Sequence, residues 1–323
     1  MAQIKISDAV LEDYQKSAIK WEKTLLDLPL RAANDVLQYM HGISGLRGKQ
    51  MFGSISGDSQ FAPFNKSRVT NATVDVDYRT LETYLGNVIE NFSPVDYATL
   101  VMGYDDPIVG EGIKGASTTA LVLMYLAKAR GQHIAQAILT GKRNAEGTAT
   151  TDLCDGFITI AEQEIAAGNI SEEKGNLYKI PEVLTDANTA DMLKDMVFAM
   201  NPFLRRENNL LLVAPEVADM YNEAYQQTHA ALVYNTAYDQ PFVEGSGKKL
   251  TIVGLPELAG CKYGIVTQKN NMLWATDNKS DESFVDIMRT GHYDLSFAAN
   301  MWLGAQFHSI DPRKLCIVEF KQD

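Results

Sequence analysis

Two stretches near the C-terminus decide the fold: residues 253–277, VGLPELAGCKYGIVTQKNNMLWATD, and residues 284–320, FVDIMRTGHYDLSFAANMWLGAQFHSIDPRKLCIVEF. Both consist of short apolar runs, and glycine, proline, asparagine or aspartate lies between most of them, which is the pattern of β-strands joined by turns. From residue 240 onward the predicted strands are LTIVG, KYGIVTQ, NMLWAT, FVDIMRT, MWLGAQF and LCIVEF. The C-terminal part of the chain is therefore predicted to be rich in strands.

The region before these strands mixes helices and strands. The spacing predicts a helix over Thr189–Met200, a buried strand over Leu210–Ala214 and a second helix that begins at Pro215. No period of 20 to 50 residues repeats along the chain, which argues against a solenoid. The order of elements after residue 185 therefore indicates a mixed α/β region.

The strongest helix signal runs from Ser117 to Thr140, where the first half is apolar on nearly every side and predicts burial. Gly131 lies inside this helix, which indicates a bend or a close approach of another backbone. Charge is segregated around it: residues 112–145 contain five basic residues and no acid, and residues 146–195 contain eleven acids and three lysines. This segregation fits two solvated faces of one subunit or complementary surfaces of two copies.

The N-terminal residues predict a helical arm. Apolar side chains recur every three or four positions and form one stripe, made of Val10, Tyr14, Ala18, Trp21, Leu25 and Leu28. Pro29 is expected to interrupt this helix. Such a stripe needs a surface to cover it, either on the body of the same chain or on a neighbouring subunit, and the sequence leaves both possibilities open.

A glycine-rich segment at residues 42–68 follows the arm and contains no periodic pattern. Beyond it, Ala72, Val74, Val76 and Tyr78 alternate with polar residues, which predicts a half-buried strand. We interpret the two parts together as an extended hairpin that projects from a body. The next stretch, residues 81–92, fits a helix as well as a strand.

The composition sets limits on function. The 323 residues are 46% hydrophobic, enough for a folded core, and the formal charge of −12 argues against a dedicated duplex-DNA binder. Three scattered cysteines give neither a disulfide framework nor a zinc motif, which is typical of a reducing cytoplasm. We also expect no membrane helix and no secretory signal peptide.

No pattern predicts catalysis. Residues 110–115, GEGIKG, match a dinucleotide-binding spacing, but the acidic, proline-containing YDDPIV stretch before them argues against a buried strand, and we interpret them as a hinge. The five histidines are isolated, and no nucleophile elbow or phosphate loop is present. Cys154 lies between two acids that raise the pKa of a thiol, so we interpret it as structural. We therefore expect no catalytic residue, cofactor or metal.

Three features together resemble the major capsid proteins of tailed bacteriophages, the HK97-like family. The first is the order of helical arm, glycine-rich loop, VDVDYRTLETYLGNVIENFSP at 74–94 and long helix. The second is NLLLVAPEVADMY at 209–221, and the third, most specific, is the pair of C-terminal stretches quoted above. The resemblance covers nearly the whole chain in element order. It implies an α+β fold with an N-terminal helical arm, an extended β-hairpin loop, a spine-helix peripheral domain and a mixed α/β axial domain.

The resemblance also implies a division of the chain. Residues 1–45 would be the N-terminal arm, which lies across neighbouring subunits, and residues 46–92 the extension loop. Residues 93–184 and 298–323 would form the peripheral domain, with the spine helix at about 116–141. Residues 185–297 would form the axial domain around the five-fold and six-fold axes.

A shell subunit of this kind would assemble into pentamers and hexamers that enclose DNA in an icosahedral virion, formed in the cytoplasm of a host bacterium. Partners would include separate scaffold, portal and decoration proteins, and no membrane. We expect the subunit interface to contain aromatic, apolar and basic residues of the arm and the loop: Trp21, Leu25, Phe52, Phe61, Phe64, Lys66, Arg68 and Arg79.

The basic residues of the spine helix and its end would face the interior and contact packaged DNA without sequence preference, namely Lys128, Arg130, Lys142 and Arg143. Two alternatives stay open at this point. One is the shell of an encapsulin-like nanocompartment, and the other is a cytosolic enzyme in which residues 42–68 form a lid over the active site.

Overall fold

The computed structural model describes residues 8–58, 63–66, 73–93, 118–229, 241–277, 285–291 and 294–321. The helices within these ranges are α1 (Asp8–Ala32), α2 (Asn34–Leu37), α3 (Thr118–Thr140), α4 (Phe157–Ala166), α5 (Thr189–Ala199), α6 (Pro202–Arg206) and α7 (Pro215–His229). The strands are β1 (His41–Ser44), β2 (Lys49–Asp58), β3 (Thr73–Glu82), β4 (Tyr84–Phe92), β5 (Leu177–Val183), β6 (Asn209–Val213), β7 (Leu250–Gly254), β8 (Tyr263–Thr267), β9 (Met272–Asp277), β10 (Val285–Arg289), β11 (Leu295–Phe307) and β12 (Leu315–Lys321).

The chain divides into two compact units, each assembled from three separate segments. The described residues of the first unit fall within Met1–Gly48, Thr83–Thr159 and Trp274–Ala305. Those of the second unit fall within Lys49–Glu82, Ile160–Leu273 and Gln306–Asp323. The predicted hinge at 110–115 and the predicted first residue of the long helix, Ser117, lie outside the described residues.

In the first unit the apolar stripe of α1 is covered by the same chain. Tyr14, Ala18, Leu25 and Leu28 are buried in one cluster with residues of α3, β4, β10 and β11. The Tyr14 and Phe92 rings add a contact with centroids 5.4 Å apart. Of the two surfaces that the sequence left open for the arm, the structure therefore shows the chain's own body.

Helix α3 lies close against α1 at Gly131. A Cβ atom at this position would lie 2.5 Å from the Ala32 Cβ and 2.7 Å from the Pro29 carbonyl oxygen. This confirms the close backbone approach expected there, because only glycine has no side chain to separate the two helices. The expected interruption at Pro29 is wrong. Helix α1 continues through this proline to Ala32, and the Ala33 N–H donates to the Pro29 carbonyl.

The sheet of the first unit has the strand order β1-β9-β11-β10, and β4 also pairs with β11. The β4–β11 pairing is antiparallel and runs from Phe92 opposite Leu295 to Tyr84 opposite Leu303. The ambiguous stretch 81–92 is therefore extended, and its apolar residues reflect strand pairing. The run MWLGAQF is the second half of β11, which is one continuous strand from Leu295 to Phe307.

The second unit is built on a sheet with the order β5-β12-β8-β6-β7. Strand β12 lies between β5, to which it is parallel, and β8, to which it is antiparallel. Helices α5 and α7 contribute to its apolar core, where Tyr221 is fully buried and its hydroxyl donates to the Phe242 carbonyl at 3.0 Å. The predicted elements of this region, α5, β6 and α7, are confirmed.

The two units differ from the division that the family resemblance implied. The terminal strand β12 was expected beside the spine helix, but it pairs within the sheet of the second unit. Residues 84–92 were assigned to the extension loop, but they pair with β11 in the first unit. Both differences have the same cause, since pairing between strands that are distant in sequence leaves no local pattern.

Candidate subunit interface

The glycine-rich segment supplies one strand of a two-stranded antiparallel ribbon, β2–β3. Its register runs from Lys49 opposite Glu82 to Asp58 opposite Thr73. Directly opposed side chains of a ribbon lie on the same face, and successive side chains alternate between faces. The ribbon therefore has two faces, which we call the inner face and the outer face.

Arg79 joins the inner face of the ribbon to the rest of the second unit. The guanidinium donates to Glu164 Oε1 at 2.7 Å, to Gln306 Oε1 at 2.9 Å and to the Phe307 carbonyl at 3.1 Å. The Arg79 side chain is 13% exposed, so these charge-assisted bonds form largely away from water. They join β3 to α4 and to the end of β11.

Further inner-face residues support this attachment. The Phe52 ring makes an edge contact with His308 at 6.4 Å between centroids, and Lys314 Nζ donates to Ser54 Oγ at 3.1 Å. Burial and the nearby Lys314 charge hold the pKa of His308 below its ordinary value. Leu81 is fully buried. The inner face is thus satisfied by contacts within its own chain.

The outer face is apolar and exposed. Ile55 lies opposite Val76 in the register, and Ile55 and Tyr78 are 73% and 65% exposed. Met51, Val74 and Val76 complete this exposed face. The sequence predicted a half-buried strand here, and the face that its own chain covers is the one opposite Val74, Val76 and Tyr78, because the inner-face polar bonds turn that side of β3 towards the unit.

Three predicted interface residues point towards their own chain. Leu25 is buried in the core of the first unit, so its position is a correction to the expected intersubunit contact. Phe52 and Arg79 of the ribbon lie on the inner face, where the second unit provides their contacts. An isolated alternation pattern could not show that Arg79 meets Glu164, which is 85 positions away.

The other predicted interface residues are exposed or undescribed. Phe64 is exposed almost completely and Lys66 is exposed, both in the short described segment 63–66. Phe61, Arg68 and the side chain of Trp21 lie outside the described part. The sequence reasoning missed Met51 and Ile55, because the apolar Phe52 lies between them and no alternation is visible in β2.

Of the basic residues expected to face DNA, Arg130 is engaged within the first unit. Its guanidinium donates to Glu90 Oε2 at 2.6 Å and lies 4.3 Å from the centroid of the Phe297 ring. The expectation that Arg130 is a DNA-facing residue is therefore wrong in this structure. Arg143 is exposed and lies over the Tyr84 ring, Lys142 is exposed, and Lys128 is half-buried.

A polar cavity of about 380 Å³ lies in the second unit, beside the inner face. Its lining includes His308, Asn176 and Asp311. The Asn176 amide donates to the Asn169 and Ile310 carbonyls. Burial raises the pKa of Asp311, but hydrogen bonds from Arg313 outweigh it and hold that pKa below its ordinary value. The side chains of Asn176 and Asp311 are thus engaged in hydrogen bonds within the chain.

Two buried cysteines carry strongly perturbed thiols. Burial, reinforced by the Asp155 charge, raises the pKa of Cys154 to about 12. Burial alone raises the pKa of Cys316 to about 12. A thiol that stays protonated is a poor nucleophile, which agrees with the structural role expected for Cys154. No group of metal-ligating side chains occurs in the described ranges, and no helix within them is long and apolar enough to cross a membrane.

Comparisons by sequence give no match, either to a protein-family model or to a curated protein. Comparison of the fold with solved structures does give matches. A chain of the satellite phage P4 procapsid, solved with its size determination (Sid) protein, matches with a TM-score of 0.59 at 14% identity, over 92% of this chain and 90% of the other.

Two further capsid structures agree. The capsid of the native GTA particle matches with a TM-score of 0.56 at 12% identity, over 90% of each chain. The capsid of Myoviridae phage XM1 matches with a TM-score of 0.53 at 8% identity, over 89% of this chain and 92% of the other. The chain therefore has the fold of phage capsid proteins, and the predicted HK97-like α+β fold is confirmed.

Proposed function

We propose that this chain is the major capsid subunit of a tailed bacteriophage or prophage, which assembles into pentamers and hexamers of an icosahedral shell around DNA. The fold match to capsid chains over about 90% of the sequence supports this proposal. The observation that carries it is the outer face of the β2–β3 ribbon, which leaves a continuous apolar surface uncovered in a single copy.

The ribbon argues for a partner on energetic grounds. A two-stranded ribbon alone is marginally stable in water, and this one exposes its more apolar face. Burying Ile55 and Val76 against another copy would recover about 25 cal/mol for each Å² of apolar surface removed from water. We therefore propose that the outer face packs on a neighbouring subunit of the shell.

In this proposal residues 46–82 form the extension loop, and the spine helix α3 with its sheet forms the peripheral part. The second unit supplies the axial part around β6, β7, α5 and α7. Separate scaffold, portal and decoration proteins would complete the particle, and the exposed Lys142 and Arg143 at the end of α3 would contact packaged DNA weakly. The exposed Lys66 and Phe64 would lie at the subunit interface.

Negative-stain electron microscopy and light scattering of the expressed chain test the proposal. We expect closed shells of uniform size, formed in a concentration-dependent way. A monomer or small oligomer at every concentration would contradict a shell function. Closed shells that contain a specific cargo protein in place of nucleic acid would favour a nanocompartment.

A variant tests the role of the outer face. Ile55→Ser with Val76→Ser should leave a folded subunit that no longer forms shells, because it removes the apolar surface and keeps the inner-face bonds. Ile55→Val with Val76→Ile is the matched control, since it preserves apolar area, and it should assemble. Normal shells from the serine variant would show that the outer face is not an intersubunit contact.

A further inference from the structure

Helix α5 of the second unit has an exposed face whose residue types change from its N-terminus to its C-terminus. Asp191, Asp195 and Phe198 lie at spacings of four and three residues, which places them along one side of the helix. All three are exposed, while Leu193, Met196 and Val197 on the other side are buried in the core. The exposed side is therefore acidic towards the N-terminus and aromatic towards the C-terminus.

Helix α6 continues this face with aromatic and basic residues. Phe203 is 61% exposed, the Arg205 guanidinium lies 5.1 Å from the Phe198 ring centroid, and that of Arg206 lies 5.9 Å from the Phe203 ring centroid. The helix is fixed by buried Leu204 and by Asn201, whose side chain accepts from the Phe203 N–H at 2.9 Å. The two phenylalanines and two arginines thus form two Arg–Phe pairs at the α5–α6 junction.

The loop before β7 borders the same face and adds positive charge. Lys194 of α5 donates to Glu244 at 2.7 Å, and the Gly245 backbone lies against the Phe198 ring. The loop continues to the exposed Lys248 and Lys249. The Lys249 carbonyl accepts from the Asn209 N–H at 2.7 Å, close to the end of α6.

We call the region made of Asp191, Asp195, Phe198, Phe203, Arg205 and Arg206 the α5–α6 surface. Exposed aromatic rings and arginines are the residue types enriched at protein interfaces. Charges of opposite sign at the two ends allow the acidic end of one copy to meet the basic, aromatic end of the next. A head-to-tail contact of this kind closes into a ring when the rotation permits.

Nucleic acid fits this surface less well. Phosphates would meet Asp191 and Asp195 beside the arginines, and the chain as a whole carries a formal charge of −12. A neighbouring copy presents its basic, aromatic end to the acidic end of the first, so that each contact joins charges of opposite sign. Charge complementarity therefore favours the same chain as the occupant.

We propose that the α5–α6 surface forms a head-to-tail contact between adjacent copies within a ring of subunits, in which Asp191 and Asp195 of one copy face Arg205 and Arg206 of the next. This inference rests on the proposed shell function and adds the residues that set the order of copies around an axis. It is independent of the outer face of the ribbon, because the two surfaces share no residue.

Charge reversal tests the contact. Arg205→Glu with Arg206→Glu, or Asp191→Lys with Asp195→Lys, should each reduce shell yield roughly tenfold or more, because like charges would then meet. The variant that combines all four changes restores opposite charges between copies and should recover assembly. Glu172→Lys with Glu173→Lys changes the net charge by the same amount and sign as the aspartate variant, so it is the matched control for that variant and should assemble normally.

The outcomes separate the two proposals. No shells from the unaltered chain would contradict the proposed function itself. If the unaltered chain and both reversed variants all form shells, the head-to-tail contact is overturned. It is also overturned if the four-change variant forms no shells although its isolated subunit melts at the same temperature as the unaltered subunit. If a reversed variant melts at a lower temperature than the unaltered subunit, the assembly test uses Arg205→Gln with Arg206→Gln instead. Normal shell assembly of this glutamine variant would overturn the contact. Normal shells that only lose bound DNA would assign the surface to nucleic acid and overturn it too.

Discussion

The arm helix α1 and the β2–β3 ribbon carry the same kind of sequence signal but differ in the burial of their apolar side chains. Both carry a regular apolar stripe, and for the arm the sequence left open whether its own chain or a neighbouring subunit covers that stripe. The stripe of α1 is buried against its own chain, with Leu25 and Leu28 in the core. The stripe of the ribbon, with Ile55 and Tyr78, is exposed. Apolar periodicity therefore identifies a face that needs cover, but the rest of the fold decides whether the same chain supplies it.

The largest expected effect separates these two regions directly. Leu25→Ala should lower the free energy of unfolding of the isolated subunit by about 2–5 kcal/mol, because it leaves a cavity in the core. Ile55→Ala, on the exposed outer face, should change it by less than about 0.5 kcal/mol. Urea unfolding of both variants checks the difference. Equal losses would show that the ribbon is covered within its own chain.

The second prediction concerns the bond that decides which face of the ribbon is covered. Arg79→Leu should cost roughly 3 kcal/mol, because it removes the guanidinium from a largely buried Glu164. Hydrogen exchange should also rise along β2 and β3. Arg79→Lys is the matched control, since it keeps the charge but loses the planar fork, and it should recover part of the loss. Unchanged exchange in the leucine variant would mean that other contacts hold the ribbon.

Gly131→Ala probes the close contact that covers the arm. The new Cβ would collide with Ala32 and the Pro29 carbonyl, and overpacking of this kind costs about 1–3 kcal/mol. The higher helix propensity of alanine offsets at most about 1 kcal/mol. Gln132→Ala, at an exposed neighbouring position, is the control and should be nearly neutral. A stabilised Gly131→Ala variant in thermal unfolding would contradict the helix contact.

The smallest expected effect is a dependence of stability on pH at the inner face. The pKa of His308 is lowered by burial and by Lys314, so the unfolded chain binds its proton more readily than the folded chain. Stability should therefore fall as pH decreases from the ordinary histidine value of 6.5 towards the lowered pKa. His308→Gln should flatten this part of a stability profile. An unchanged slope would exclude His308 as its source.

Much of the fold could be predicted from local patterns, because they record which side of an element is apolar. The stripe of α1, the length of α3 and the alternation of β3 are all visible in the sequence. The covered side of β3 was not predictable, since Arg79 is held by residues 164, 306 and 307. For the same reason the place of β12 in the second sheet appeared only in the structure.

The sequence predicted an extended hairpin, but it did not show which of its residues are exposed. An uncovered surface on the extended hairpin was expected, yet Phe52 and Arg79 lie on the inner face and Met51 and Ile55 on the outer one. The offset follows from register, since a shift of one position moves a side chain to the opposite face. Arg130 shows a second limit, because the nearby Glu90 and Phe297 come from other elements.

The central claim is that another copy covers the outer face of the ribbon in the assembled state. Thiol labelling of a Val76→Cys, Cys261→Ser variant tests it most directly, because the remaining Cys154 and Cys316 are buried. Maleimide should modify Cys at position 76 readily in the unassembled subunit and roughly tenfold more slowly in assembled shells. Equal labelling in both states would contradict the claim.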